Sequence, residues 1–190
     1  MKEKIRERMF EILKEIRADI KCDKFHCPTG LLIVYSDTSN VLARGAYPIK
    51  KTIYSEGSEK SFEVVGHMND DNAKEKLKII GEDGAVLVDE EGSIYSPSVY
   101  LNVNLFSVDP NSIEDDFCAR HIAALATSVA TKAHVFTLSE ETGKVREFVE
   151  GKAERQYPPK PSKEETELVE IIEKDLIREQ LKDKLVHVEV

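Results

Sequence analysis

The chain has 190 residues, with 27 Lys plus Arg against 36 Asp plus Glu and a formal net charge of −9. Hydrophobic residues at 41% are enough for a real core, which excludes a wholly disordered chain. The acidic balance excludes a general duplex-binding surface, and no run approaches the roughly 20 apolar residues of a membrane span.

The N-terminal residues mix charges and precede no apolar stretch, so no secretory signal is expected. Three cysteines, Cys22, Cys27 and Cys118, are an odd count that suits a reducing cytoplasm. Cys22, His26 and Cys27 are too cramped for a tetrahedral zinc site and read as a turn.

Residues 1–20 read as an amphipathic helix, with Ile5, Met9, Ile12, Leu13, Ile16 and Ile20 at three- and four-residue spacings. Cys27-Pro28-Thr29-Gly30 breaks it. Leu31–Tyr35 is a continuous apolar run, as in a central strand buried on both faces. Asp37–Asn40 has turn chemistry, and Val41–Arg44 is expected to return as a strand. Phe62–Val65 suits a short strand and Asn72–Ile80 a short helix. Ala85–Asp89 is a second buried strand, turning at Glu90–Ser93 into the hairpin partner Ile94-Tyr95. Val99–Leu105 alternates as a strand does.

Asp115–Ala130 reads as a helix with a Cys118/Ile122/Leu125/Val129 stripe and many alanines for close packing. Ala133–Leu138 is the next strand, Ser139–Gly143 a turn, and Val145–Val149 the return. Gln156–Pro161 is a stiff linker, and Ser162 caps a last, highly charged helix. The fold class expected is α/β: a single domain with a central mixed parallel/antiparallel sheet flanked by helices, plus N- and C-terminal amphipathic helices.

Three segments carry candidate chemistry at strand ends or helix starts. Asp83-Gly84-Ala85 sets a carboxylate beside backbone that a ligand can approach closely. Arg120-His121 lies near a helix N-terminus, where free N–H groups and a guanidinium fork favour phosphate. Ser139-Glu140-Glu141-Thr142-Gly143 offers a hydroxyl and two carboxylates, suited to a hard divalent ion. Each alone reads more readily as an ordinary turn or a solvated surface than as a site.

In this order, with these flanks, the three resemble the motifs of the diadenylate cyclase (DAC) domain, also found in the bacterial DNA-integrity-scanning protein. The family's D-G-A is matched at 83–85. Its R-H-R followed by A-A-L-G is approximated by Arg120-His121-Ile122-Ala123-Ala124-Leu125-Ala126. Its S-E-E-T-G is matched at all five positions from Ser139. Tyr100-Leu101 is similar to the adenine-contacting pair. The resemblance covers about residues 30–155. Two positions depart from it. Ile122 replaces the second Arg and reads as packed, and Cys118-Ala119 stands where many members have a Gly-containing pair.

The resemblance implies an enzyme that condenses two ATP into cyclic di-AMP and two pyrophosphates, with Mg²⁺ or Mn²⁺, at the face-to-face interface of a homo-oligomer. It implies that Asp83 binds metal and orients or deprotonates the 3′-hydroxyl. Gly84 and Ala85 admit ribose and adenine, and Tyr100 and Leu101 sandwich the adenine. Arg120 and His121 hold the triphosphate, and Ser139 binds a terminal phosphate oxygen. Glu140 and Glu141 bind metal or fix Arg120. The organisation expected is an N-terminal helix at 1–24, a cyclase-like catalytic domain at 25–156, and a linker with a charged helix at 157–190. No DNA-binding domain and no membrane segment are expected. The alternatives are an ATP or cyclic di-AMP binding module with little or no turnover, and a scaffold whose terminal helices dock protein partners.

Overall fold

The computed structural model describes residues 2–19, 30–43, 46–48, 63–81, 84–102, 104 and 107–158. The chain divides into two units, Met1–Pro158 and Pro159–Val190. The C-terminal helix, the Cys22/His26/Cys27 turn, Ile20, Phe62 and Asp83 lie outside the described residues.

In chain order the elements are α1 (Lys2–Asp19), β1 (Leu31–Tyr35), α2 (Thr38–Ala43), β2 (Ala46–Pro48), β3 (Glu63–His67) and α3 (Ala73–Ile80). They continue with β4 (Ala85–Val88), β5 (Ser93–Leu101), α4 (Ala119–Thr131), β6 (His134–Leu138), β7 (Val145–Val149) and β8 (Lys152–Tyr157). One sheet runs β2-β5-β4-β1-β6-β7-β8, with β3 also on β5. β1 pairs with β4 in parallel, and the other pairings are antiparallel. The expected mixed sheet flanked by helices is therefore present. No helix of the described residues is long and apolar enough to cross a membrane.

The two-residue period of the strands divides the core. Leu31, Ile33 and Tyr35 face Ile5, Met9, Ile12, Leu13 and Ile16 of α1, with Leu77 of α3. Leu32 and Val34 face Ala124, Leu125 and Ala126 of α4. β1 thus sits between two apolar layers, each fully buried side chain contributing about 1.5–3 kcal/mol. The same alternation on β7 sends Val145 to the α1 layer and Phe148 to the α4 layer.

Four expectations are corrected. Val41–Ala43 belongs to a helix, not a strand. Asp37 accepts the Ser39 N–H at 2.9 Å and the Ser39 hydroxyl at 2.6 Å, which starts α2 and lets Val41 bury itself. Val99–Leu101 is the end of the long strand β5, not a separate element. α4 starts at Ala119, because Cys118 is the extended N-cap residue and its N–H donates back to His121 Nδ1 at 3.1 Å. β8 (Lys152–Tyr157) takes in Gln156 and Tyr157, which read as the start of the linker. Its polar edge sequence hides the strand, and positive φ at Glu150 and Gly151 (46° and 78°) makes the tight hairpin.

The packed face of α4 is also one residue out of phase with the predicted stripe. His121, Ala124, Leu125, Ser128 and Thr131 are buried, while Ile122 and Val129 are half-buried. Polar residues can occupy that face because they find partners. Ser128 donates to Leu125 O at 2.8 Å and accepts the Gly151 N–H at 2.9 Å.

α1 is fastened by charge as well as by apolar contact. Glu147 is fully buried, and its carboxylate accepts from Arg6 Nε at 2.5 Å, faces His134 Nδ1 at 2.8 Å and accepts from Arg155 Nε. Arg155 also reaches Glu7 of α1 at 2.7 Å and lies over the Phe10 ring at 4.0 Å. Burial opposes ionisation of Glu147, but the bonds from His134 and Arg6 outweigh it and hold the carboxyl below its usual range. Glu147→Gln removes the buried counter-charge that Arg6 and Arg155 share and leaves them only their exposed partners Glu3 and Glu7, so it is expected to cost about 1.5–3 kcal/mol, the scale of a hydrogen bond to a charged group. Urea unfolding followed by circular dichroism reads this directly.

Candidate nucleotide-binding site

An open cavity of about 420 Å³ lies on the α4 side of the sheet. Its lining brings together Gly84 and Ala85, Tyr100 and Leu101, Arg120, and Glu141. These motif segments, up to 57 residues apart, meet there because of strand pairing: β1 lies between β4, which follows Gly84, and β6, which runs into Ser139. β5 then returns beside β4 with Val99 opposite Ala85, which sets Tyr100 and Leu101 at the same sheet end.

The lining is mostly apolar, with Leu32, Ala85 and Val99 from the strands, Ala119 and Ala123 from α4, and Cys118 from its N-cap. Small side chains on α4 leave room for a ligand against the helix. Tyr100 is 56% exposed, so a planar ring borders the cavity with surface to spare for stacking. Gly84 has φ 89°, a left-handed conformation that suits glycine.

Arg120 is the second residue of α4, where unpaired backbone N–H groups already favour an anion. Its Nη2 lies 3.7 Å from Glu140 Oε2. Glu140 thus faces Arg120 while its neighbour Glu141 lines the cavity. Gly30, just before β1, lies directly under the guanidinium: an added Cβ would land on Arg120 Nη1 and Cζ. In the sequence Gly30 signals only the end of a turn, and nothing local ties it to residue 120.

His121 and Ser139 are not among the lining residues; both are fully buried. The Ser139 hydroxyl accepts the Thr142 N–H at 3.2 Å and so caps its own turn. The His121 ring lies 3.1 Å from the Cys118 backbone N–H, 3.3 Å from Cys118 Sγ and 3.1 Å from Arg146 Nη1. Arg146, also fully buried, donates to Asp116 at 2.6 Å and to Gln156 at 3.2 Å and lies over the Phe117 ring. Lys144 binds the same Asp116 oxygen at 2.6 Å. This network behind the cavity joins the start of α4 to β7 and the residue after the S-E-E-T-G turn. Arg146 and Asp116 were not legible as site-related, since neither sits in a motif.

Burial and the nearby Arg146 charge push His121 down to about 4, so the ring is neutral at pH 7. Burial would raise the Asp116 carboxyl, but the bonds from Lys144 and Arg146 prevail and hold it at about 2. Among the described residues no group of three or more His, Cys, Asp or Glu side chains forms a metal cluster.

These two groups set an acid limb of stability. Between about pH 6.5 and 4 the unfolded chain protonates His121 and the folded chain does not, so stability falls as pH falls across that window. The loss is about 3 kcal/mol, and Asp116 adds a further loss as pH falls from its unfolded value toward about 2. Urea midpoints measured from pH 7 to pH 4 should flatten in His121→Asn; an unchanged slope would contradict the assignment.

The chain is similar to known proteins in sequence and in structure. The family model described as DisA bacterial checkpoint controller nucleotide-binding (DAC) matches residues 26–153. A diadenylate cyclase of Methanocaldococcus jannaschii is 31% identical over 124 residues, which cover 65% of this chain and 36% of that protein. The chain therefore spans well under half the length of that relative. A double mutant of DacA from Staphylococcus aureus is similar in structure with a TM-score of 0.49 at 20% identity, covering 81% of this chain and 86% of that one. A hypothetical membrane-spanning protein from Bacillus cereus gives 0.44 at 20% identity over 75% of this chain and 58% of that one. Because the family model takes in most of the chain, including every segment that lines the cavity, the protein belongs to the DAC family of DisA-type nucleotide-binding domains.

Proposed function

We propose that this protein is a diadenylate cyclase, joining two ATP molecules into cyclic di-AMP with release of two pyrophosphates. The observation that carries this reading is the meeting of Gly84-Ala85, Tyr100-Leu101, Arg120 and Glu141 around one cavity. The relative named a diadenylate cyclase supports it.

In this reading adenine lies between Tyr100 and Leu101, and the ribose passes over Gly84 and Ala85, where side chains are minimal. The triphosphate runs to the α4 N-terminus and the Arg120 fork. Asp83, bonded to the cavity residue Gly84, accepts the proton of the 3′-hydroxyl. The hydroxyl oxygen bonds to the α-phosphorus of the second ATP while that ATP's α–β anhydride breaks and pyrophosphate departs. The reciprocal attack closes the ring. Each protomer holds one ATP, so two protomers must face each other across a two-fold axis. The chemistry depends on in-line placement and on charge neutralisation.

Glu140 orients Arg120, while His121 and Ser139 act as positioning residues: one braces the start of α4, the other shapes the turn. Glu141 on the cavity wall, with Asp83 beside Gly84 in sequence, would hold a hard divalent cation, Mg²⁺ or Mn²⁺, through carboxylate oxygen. When bound, such an ion neutralises charge on the phosphate oxygens.

A second reading is favoured by one observation. Arg120 is the one cationic side chain lining the cavity among the described residues, and the half-buried Ile122 stands where the family's second Arg is expected. With so little charge to neutralise a triphosphate, the domain would bind ATP or cyclic di-AMP without turning it over.

Purified protein incubated with ATP and Mg²⁺ or Mn²⁺ is expected to yield cyclic di-AMP by mass spectrometry. ATP binding without product would establish the binding module instead. Asp83→Asn should reduce product by about a hundredfold or more, the typical contribution of a general base, while leaving the circular dichroism spectrum unchanged. Near-normal product from that variant would refute the role of Asp83. Gly30→Ala displaces the Arg120 guanidinium and is expected to raise the KM for ATP by about tenfold, the scale of one charged hydrogen bond. An unchanged KM would show that Arg120 does not bear on the phosphates.

A further inference from the structure

The S-E-E-T-G turn is held from two sides. From within, the Ser139 carbonyl accepts the Gly143 N–H at 2.9 Å, the Ser139 N–H donates to the Lys144 carbonyl at 2.9 Å, and the Ser139 hydroxyl accepts the Thr142 N–H at 3.2 Å. From outside, Arg17 of α1 donates from Nε to the Gly143 carbonyl at 2.7 Å. Its guanidinium carbon lies 5.3 Å from the centre of the Tyr157 ring, and Tyr157 is the β8 residue opposite Val145. The helix cannot easily slide, because Leu13 and Ile16 beside Arg17 are fully buried.

This contact has three properties that a surface ion pair lacks. It is a charge-assisted bond to a partly buried backbone carbonyl. It falls on the last residue of the turn that bears Glu140 and Glu141. It also comes from a helix that precedes residues 26–153, the stretch matched by the family model. Glu140 and Arg120 meet only at 3.7 Å, so the backbone position of the turn decides how well they engage.

We propose that Arg17 is a positioning residue for the site. Through the Gly143 carbonyl it fixes the turn that delivers Glu141 to the cavity wall and Glu140 to Arg120, so that α1 is part of the catalytic apparatus. The inference rests on the cyclase reading above for its kinetic consequence, but its structural claim stands apart from it.

The test uses the full chain. Arg17→Met keeps an aliphatic stem over Tyr157 and removes the donor. Arg17→Lys restores a donor. Lys14→Ala alters the other cation over Tyr157, 5.0 Å from the ring, which does not reach the turn. Hydrogen exchange is measured at the Thr142 and Gly143 amides, with β1 and α4 amides as internal references. Arg17→Met is expected to speed exchange at Thr142 and Gly143 by about tenfold relative to the references, the scale of one lost bond. It is also expected to lower kcat for cyclic di-AMP formation by a similar factor at saturating ATP. Arg17→Lys should recover part of both effects, and Lys14→Ala should show neither. Unchanged exchange at Thr142 and Gly143 in Arg17→Met overturns the proposal. So does equal acceleration across β1 and α4, or an equal effect from Lys14→Ala. If Arg17→Met does not fold, Arg17→Gln, with a shorter stem and no charge, replaces it: wild-type exchange at Thr142 and Gly143 in that variant overturns the proposal, and faster exchange confined to those two amides supports it. If the wild-type protein makes no cyclic di-AMP, the cyclase reading fails, and the exchange measurement still decides the clamp.

Discussion

The structure depends on one constraint: β1 is buried on both faces and paired on both edges. Each of its five residues is buried, alternating between the α1 layer and the α4 layer. Its edges take β4 in parallel and β6 antiparallel. A strand so enclosed allows little change in register, since a slip of one residue would exchange the side chains presented to the two layers. The fixed register brings the residues before β4 and the turn after β6 to the same end of the sheet. α4, packed across that end, completes the cavity with its first turns.

The polar interior does a second, separate task. β7 carries two buried charged residues in succession, Arg146 and Glu147, and the strand period sends them to opposite layers. Glu147 gathers Arg6, His134 and Arg155 and ties α1 to the sheet. Arg146 gathers Asp116, Gln156 and His121 and ties the start of α4 to the same strand. Buried charges of this kind add little net stability compared with apolar packing, and their value here is geometric. They hold two helices on opposite sides of one strand: α4 lines the cavity with its first turn, and α1 reaches, through Arg17, the turn that carries Glu141.

This arrangement changes the reading of two motif residues. His121 and Ser139 resemble ligand contacts when seen as letters in a motif. In the fold both are buried and occupied by neighbours, one with the Arg146 network and one with its own turn. A buried polar side chain needs a partner, and here the protein supplies it. The residues with unused surface toward the cavity are Tyr100, Arg120 and Glu141, together with the small side chains that make room for them.

Much of the fold and part of the site were legible in the sequence. Helical spacing gave α1 and α3, continuous apolar runs gave β1 and β4, and the order of three short motifs gave the family, because those signals lie within a few neighbouring residues. The Val41 helix, the polar edge strand β8 and the rotated face of α4 were not legible. Each depends on a distant partner: the apolar layer that takes Val41 once the local Asp37 cap has started the helix, the ladder that β7 offers to β8, and the buried Arg146 that accommodates His121. The contacts most specific to the site, Gly30 beneath Arg120 and Arg17 on the Gly143 carbonyl, span 90 and 126 positions of sequence. The sequence by itself determined which segments could carry the chemistry. Only the tertiary structure decided which of their side chains reach the cavity, because burial and long-range hydrogen bonding are properties of the packed chain and not of any local spacing.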